Sequence, residues 1–224
     1  MSTVEHLVPG SALDIGRSIV YEDGDLLIVN KPSGLLTVDD DRGSPNLFSL
    51  LKRRARRGKI LIVHRLDRDT SGLLVFAKSF RVLKALQQCF EEGAVERRYE
   101  AVVSGALVPG QTLKVTLDLF EDRFGTVRVV DRGRGKTSIT YVKCLSAGPA
   151  RSYVDISLLT GRKNQIRCTM SYIGHPILGD RKYGGGGEAR MMLNAYRLSF
   201  PSELGLKRNT FEIPRIWAKG FNVQ

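Results

Sequence analysis

Cysteine is scarce in this chain and poorly placed for structural work. The three cysteines, Cys89, Cys144 and Cys168, are odd in number, far apart and free of any Cys-x-x-Cys pairing. That argues against a disulfide scaffold or zinc knuckle and makes a reduced, cytoplasmic setting the expectation. Histidine is equally sparse: His6, His64 and His175 are scattered, none at metal spacing from a second ligand, so no metal site is expected. No stretch approaches the ~18–20 consecutive apolar residues of a membrane span. Residues 1–16 carry Glu5 and Asp14 and lack the apolar centre of a secretory signal. Acidic residues are the minority, 23 against 35 Lys and Arg, which gives +12 over 224 residues. Such a balance favours a polyanionic partner, nucleic acid ahead of an anionic membrane.

The chain is long enough for one substantial core. Leu26–Asn30 reads as a buried strand closed by the turn Lys31-Pro32-Ser33-Gly34. Ser44-Pro45 has the form of a helix start, with Ser44 as N-cap, Leu47, Leu50 and Leu51 as the apolar stripe and Gly58 as the stop. A second helix is expected over Ser79–Glu92, ending at Gly93, and a third after Gly161, ending at Gly174. Tyr99–Val103, Ser138–Cys144 and Ser152–Leu159 read as strands, and Glu121–Lys136 as a charged hairpin or flexible loop. Helices this few and this unevenly spaced do not make a doubly wound fold. The expectation is a single α+β domain with a mixed, largely antiparallel sheet.

Several motifs carry little chemistry. Gly135-Lys136-Thr137 lacks the first glycine of a phosphate loop, and Val130 stands in its place. Gly184–Gly187 has no strand and helix in dinucleotide-binding order and reads as a mobile loop. Asp39-Asp40-Asp41 lacks the spaced ligands of a calcium site. The run Lys52-Arg53-Arg54-Ala55-Arg56-Arg57 places five cations in six positions at a helix end. It complements the helix dipole, and its self-repulsion also fits a surface that tracks phosphates.

His64-Arg65-Leu66-Asp67-Arg68-Asp69 concentrates two carboxylates, two guanidiniums and an imidazole immediately before the buried run Leu73–Ala77. Charge held beside a core is costly unless paired, so the cluster is either a structural ion pair or a working site. Cations near Asp67 favour its ionised form, available as nucleophile or base.

These residues resemble the RluA-type RNA pseudouridine synthases in five ordered elements over roughly residues 17 to 200. The elements are Asn30–Leu36, the signature His64–Asp67 with Thr70–Gly72, Arg98–Gly105, Thr160–Arg167, and Gly174–Asp180. The resemblance implies a catalytic domain over 17–224, an extension over 1–16 and no separate N-terminal RNA-binding domain. It makes Asp67 the catalytic aspartate, acting at C1′, at the 2′ proton or on the base. Tyr99 would stack on uracil and take the C5 proton, and Arg167 would pair with Asp67. Arg65 would fill the space left by the flipped nucleotide. Lys31, Arg162, Arg53, Arg54, Arg56 and Arg57 are expected RNA contacts. The partner would be tRNA or rRNA, the protein a monomer, and the reaction would need no cofactor; the alternative is an inactive, RNA-binding relative. Two positions depart from the family pattern: Asn164 and Asn194 stand where histidines are usual. The paired change implies two groups that face one another.

Overall fold

A computed structural model describes residues 15–40, 43–55 and 58–221. Asp41, Arg56, Arg57 and nearly all of the 1–16 extension lie outside the described residues. In chain order the elements are β1 (Ile19–Glu22), β2 (Leu26–Lys31), α1 (Leu47–Ala55), β3 (Leu61–Ile62), β4 (Ser71–Ala77), α2 (Phe80–Glu91), β5 (Glu96–Ser104), β6 (Thr112–Glu121), β7 (Val127–Val130), β8 (Lys136–Ala147), β9 (Arg151–Leu158), α3 (Gln165–Tyr172), β10 (Leu193–Ser199) and β11 (Thr210–Glu212). One sheet runs β1-β2-β4-β10-β5-β9-β8-β6-β7, with β3 on β4 and β11 on β10. Every pairing is antiparallel except β4 with β10, where Asn194 lies opposite Ser71 and Ala195 opposite Gly72. No helix among the described residues is long and apolar enough to cross a membrane.

β4 is buried over its whole length because both faces of the sheet are covered. Strand alternation sends Leu74 and Phe76 to one side, with Leu27, Val29, α1 residues Leu47 and Leu51, and α3 residues Ile166 and Met170. Leu73 and Val75 point to the other, with Leu26, Ile28 and α2 residues Val82 and Leu86. β2 pairs one edge of β4 throughout, while β10 and β3 hold only the two ends of the other. Between them the Val75 N–H donates to His64 Nε2 at 3.2 Å. Burial lowers the His64 pKa to about 3, with the Arg97 charge adding to it, so the imidazole is neutral and free to accept. His64 therefore works as a strand partner.

The α2 boundaries follow the sequence reading, with Ser79 Oγ accepting from Val82 N. At α1 the cap moves: Ser44 donates to Asp40, and Asn46 Oδ1 accepts from Ser49 N at 2.9 Å. Glu121–Lys136 is the hairpin turn of β6 and β7 plus the crossing to β8. The Gly184–Gly187 stretch is partly pinned rather than a loose loop. Gly185 N donates to Asp180 O, and a Cβ at Gly185 would overlap the Ile177 carbonyl.

Gly72 lies at φ +113°, and a Cβ there would run into the backbone of Ala195 on β10. Gly72→Ala is expected to destabilise the fold by about 2–4 kcal/mol through backbone strain and overpacking at the parallel seam. Denaturant unfolding within about 0.5 kcal/mol of the parent would contradict this constraint.

Candidate active site

The segment before β4 is held from beneath by the loop that follows β2. Lys31 is fully buried, and its Nζ donates to the carbonyls of Pro32, Leu35 and Arg68 at 3.0, 2.8 and 2.9 Å. Gly34 N donates to Arg68 O, Arg68 Nε to Gly34 O, and Ser33 Oγ to Asp69 O. Thr37 Oγ1 donates to Leu66 O and accepts from Leu66 N. These bonds bracket Asp67 on both sides. They also correct the expectation that Lys31 touches RNA, because its three donors are spent inside the protein. Burial pulls its pKa down to about 7, opposed by Asp69 and Asp67. Three carbonyl acceptors at these distances suit the ammonium form.

Asp67 meets α3 across the cleft. Arg167 Nη1 donates to Asp67 Oδ2 at 3.3 Å and to Asn164 Oδ1 at 3.1 Å. The other edge of the same guanidinium grips Asp180, Nε at 2.7 Å and Nη2 at 2.8 Å. The Asp180 side chain is fully buried, while that of Asp67 is 29% exposed. Burial alone would lower the Arg167 pKa, but the hydrogen bonds and charge of Asp180, then of Asp67, raise it on balance. Arg167 is thus a fixed cation, anchored by one carboxylate and offered to another.

Asn164 supports that anchor. It occupies the N-cap of α3 at φ +50°, a left-handed conformation that Asn tolerates, and its side chain makes no cap bond. Its amide serves Arg167 instead and donates to Tyr183 Oη at 3.2 Å. The Tyr183 ring lies 5.1 Å from the Arg167 guanidinium. Asn194 belongs to a different network, accepting from Ser71 Oγ and donating to the buried Glu100. Among the described residues no hydrogen bond joins the two asparagines, and each serves its own network.

Asp67, Tyr99, Arg167, Arg65 and Arg162 all line one cleft of ≈170 Å³. Tyr99, on β5, is 8% exposed, and burial raises its pKa, with Arg97 opposing and Asp67 adding. The ring is therefore a neutral phenol. Arg53 lies elsewhere, on the last turn of α1, as does Arg54, which pairs with Glu22 at 3.0 Å. No ion pair joins Arg68 and Asp69 among the described residues. His175 closes a turn, its Nδ1 2.8 Å from Ser104 O. No cluster of three or more His, Cys, Asp or Glu side chains able to hold a metal occurs among the described residues. Asp180 and Tyr183 are the residues that sequence reasoning missed. Asp180 ended a recognised motif, but nothing in the spacing showed that it reaches back to α3.

A model of the family described as RNA pseudouridylate synthase matches residues 25–172. Ribosomal large subunit pseudouridine synthase D of Xylella fastidiosa is 37% identical over 179 residues, covering 77% of this chain and 53% of that protein. Human RNA Pseudouridylate Synthase Domain Containing 1 superposes with a TM-score of 0.69 at 28% identity, over 88% of this chain and 81% of that one. Human RNA Pseudouridylate Synthase Domain Containing 4 shares the fold, with a TM-score of 0.76 at 22% identity, covering 90% of each chain. The chain belongs to the RNA pseudouridylate synthase family. It spans 53% to 59% of the length of the curated relatives it matches.

Asp180→Asn leaves the buried Arg167 edge without its counter-charge. A loss of about 3–5 kcal/mol is expected, as for any broken buried pair. Equilibrium unfolding that differs by less than about 1 kcal/mol would show that Asp180 does not anchor Arg167.

Proposed function

We propose that this chain converts uridine to pseudouridine in structured RNA. The observation that carries the reading is the cleft in which Asp67, oriented by a clamped Arg167, faces the same space as the Tyr99 ring. A base inside a stem is out of reach of such a cleft, so the target nucleotide must leave its stack. Arg65, exposed beside Asp67, then fills the gap in the helix. The C1′–N1 bond breaks, the uracil turns, C5 bonds to C1′, and the C5 proton departs while N1 gains one. Pseudouridine is an isomer of uridine, so the reaction consumes no net oxidant, reductant or group donor.

Asp67 works on the ribose side, its carboxylate held in place by Arg167 Nη1. Tyr99 presents a ring face for uracil to stack on and a phenol oxygen near the departing C5 proton. The relatives named for the large ribosomal subunit direct the substrate proposal to ribosomal RNA. Residues 17–224 are proposed to form a catalytic domain, and the protein to act as a monomer in the cytoplasm. Arg162 and the basic end of α1 contribute to holding the RNA backbone.

Tritium release from RNA labelled at uridine C5 tests the reaction. The parent protein should release tritium, and Asp67→Asn should release none while still binding RNA. Release by Asp67→Asn at a rate near the parent's would overturn the role of that carboxylate. Tyr99→Phe keeps the stacking face and loses the oxygen, so it should bind RNA normally yet turn over at least about 10²-fold more slowly, the scale of a missing proton-transfer group. Equal rates would leave Tyr99 a stacking residue alone.

The α1 patch has its own test. Changing Arg53, Arg54, Arg56 and Arg57 to Gln should flatten the dependence of log affinity on log salt by about 0.7–0.9 for each phosphate no longer neutralised. An unchanged slope would assign the run to the helix dipole and the surface.

A further inference from the structure

Beyond Tyr99 the cleft opens into a second cavity of ≈600 Å³; Tyr99, Arg65, Leu158, Gly161 and Arg162 line both spaces. Its inner wall is Arg97, two residues before Tyr99 on β5 and so on the same face of the strand. Arg97 is 6% exposed.

The other deeply buried cations are compensated, Lys31 by three carbonyls and Arg167 by Asp180. Arg97 is not: its Nε and Nη2 are buried without any hydrogen-bond partner. The Phe90 ring lies 5.5 Å from the guanidinium, and Gly161 leaves room for it, since a Cβ there would overlap Nη1. Among the described residues no carboxylate pairs with Arg97. Burial lowers its pKa, with only Tyr99 opposing, yet a guanidinium remains charged at neutral pH. An uncompensated charge with two idle donors is expensive to keep unless a ligand supplies the missing anion.

The idle atoms define the ligand. Nε and Nη2 form one edge of the guanidinium, the same edge that Arg167 uses to hold both oxygens of Asp180. Neither nitrogen has open surface as the side chain lies, so the guanidinium must turn towards the cavity to present that edge, which fits an anion with two oxygens on one centre, a carboxylate or a phosphate. Arg65 and Arg162 stand at the mouth shared with the Asp67 cleft, while the exposed Glu91 and Glu92 line the α2 side. The acidic rim repels a polyanion there, so the anion enters from the Asp67 side.

We propose that Arg97 forms an anion subsite for a phosphodiester of the substrate strand, next to the uridine held against Tyr99. This rests on the proposed RNA substrate, and it gives the site a second grip on the flipped nucleotide, independent of Asp67.

The test reads the Arg97 Nε–H resonance of ¹⁵N-labelled protein, assigned by its loss in Arg97→Lys. Inorganic phosphate and uridine 3′-monophosphate should move that resonance, and uridine should not. In parallel, Arg97→Gln in an Asp67→Asn background should weaken oligouridylate binding at least tenfold. An Nε–H resonance unmoved by phosphate and nucleotide would overturn the subsite and leave Arg97 a packing partner of Phe90. Movement by phosphate with oligouridylate affinity unaffected by Arg97→Gln would also overturn it, as adventitious anion binding. If the resonance and affinity respond as expected while the parent protein releases no tritium, the subsite stands and the synthase reading falls.

Discussion

One buried guanidinium organises the site. Arg167 gives one edge to Asp180, a fully buried carboxylate, and one remaining nitrogen to Asp67, a partly exposed one. The asymmetry follows from desolvation. A carboxylate without solvent contact needs every acceptor bonded, and Asp180 accepts from Lys182 N and Tyr183 N as well as from Arg167. Asp67 keeps part of its surface free, as its proposed role as the reacting group requires. The strong pair fixes the cation, and the weak pair uses it.

Asp67 is held equally from its own side. Lys31, Ser33, Gly34 and Thr37 each reach the backbone flanking Asp67, at Arg68, Asp69, Arg68 and Leu66 respectively, and not its carboxylate. Two stretches some thirty residues apart thereby become one rigid loop at the mouth of β4. The parallel seam with β10, tight enough to require Gly72, sets the height of that loop against the sheet. Behind it, Glu100 ties β5 to β9 through Tyr153, to β10 through Asn194, and to the C-terminal segment through Ile216 and Trp217. Tyr99 is the neighbour of Glu100 on β5, so the same network locates its ring.

Local signals in the sequence carried much of this. The apolar run of β4, the Ser79 cap and the α3 stop at Gly174 are short-range features, and all three are present in the structure. Asp67, Tyr99 and Arg167 share one cleft, though only the family resemblance joined them, because 100 residues separate Asp67 from Arg167. β6 went unread despite the alternation of Leu113, Val115, Leu117 and Leu119. Asn46 displaced Ser44 as the α1 cap because Pro45 is followed by one more non-helical residue. Lys31 looked like a phosphate contact and proved to be a buried brace, a difference that depends on three carbonyls supplied by folding. Asp180 and the unpartnered Arg97 could not be found from spacing, since the presence or absence of a tertiary partner defines each.

The central claim is that an anchored Arg167 positions Asp67 for reaction. The most direct measurement is the single-turnover rate of pseudouridine formation by Arg167→Lys, with RNA affinity measured alongside. An ammonium cannot hold both oxygens of Asp180 and also reach Asp67. The account predicts near-normal RNA affinity and a rate reduced by about 10²-fold or more. A single-turnover rate close to that of the parent protein would contradict it.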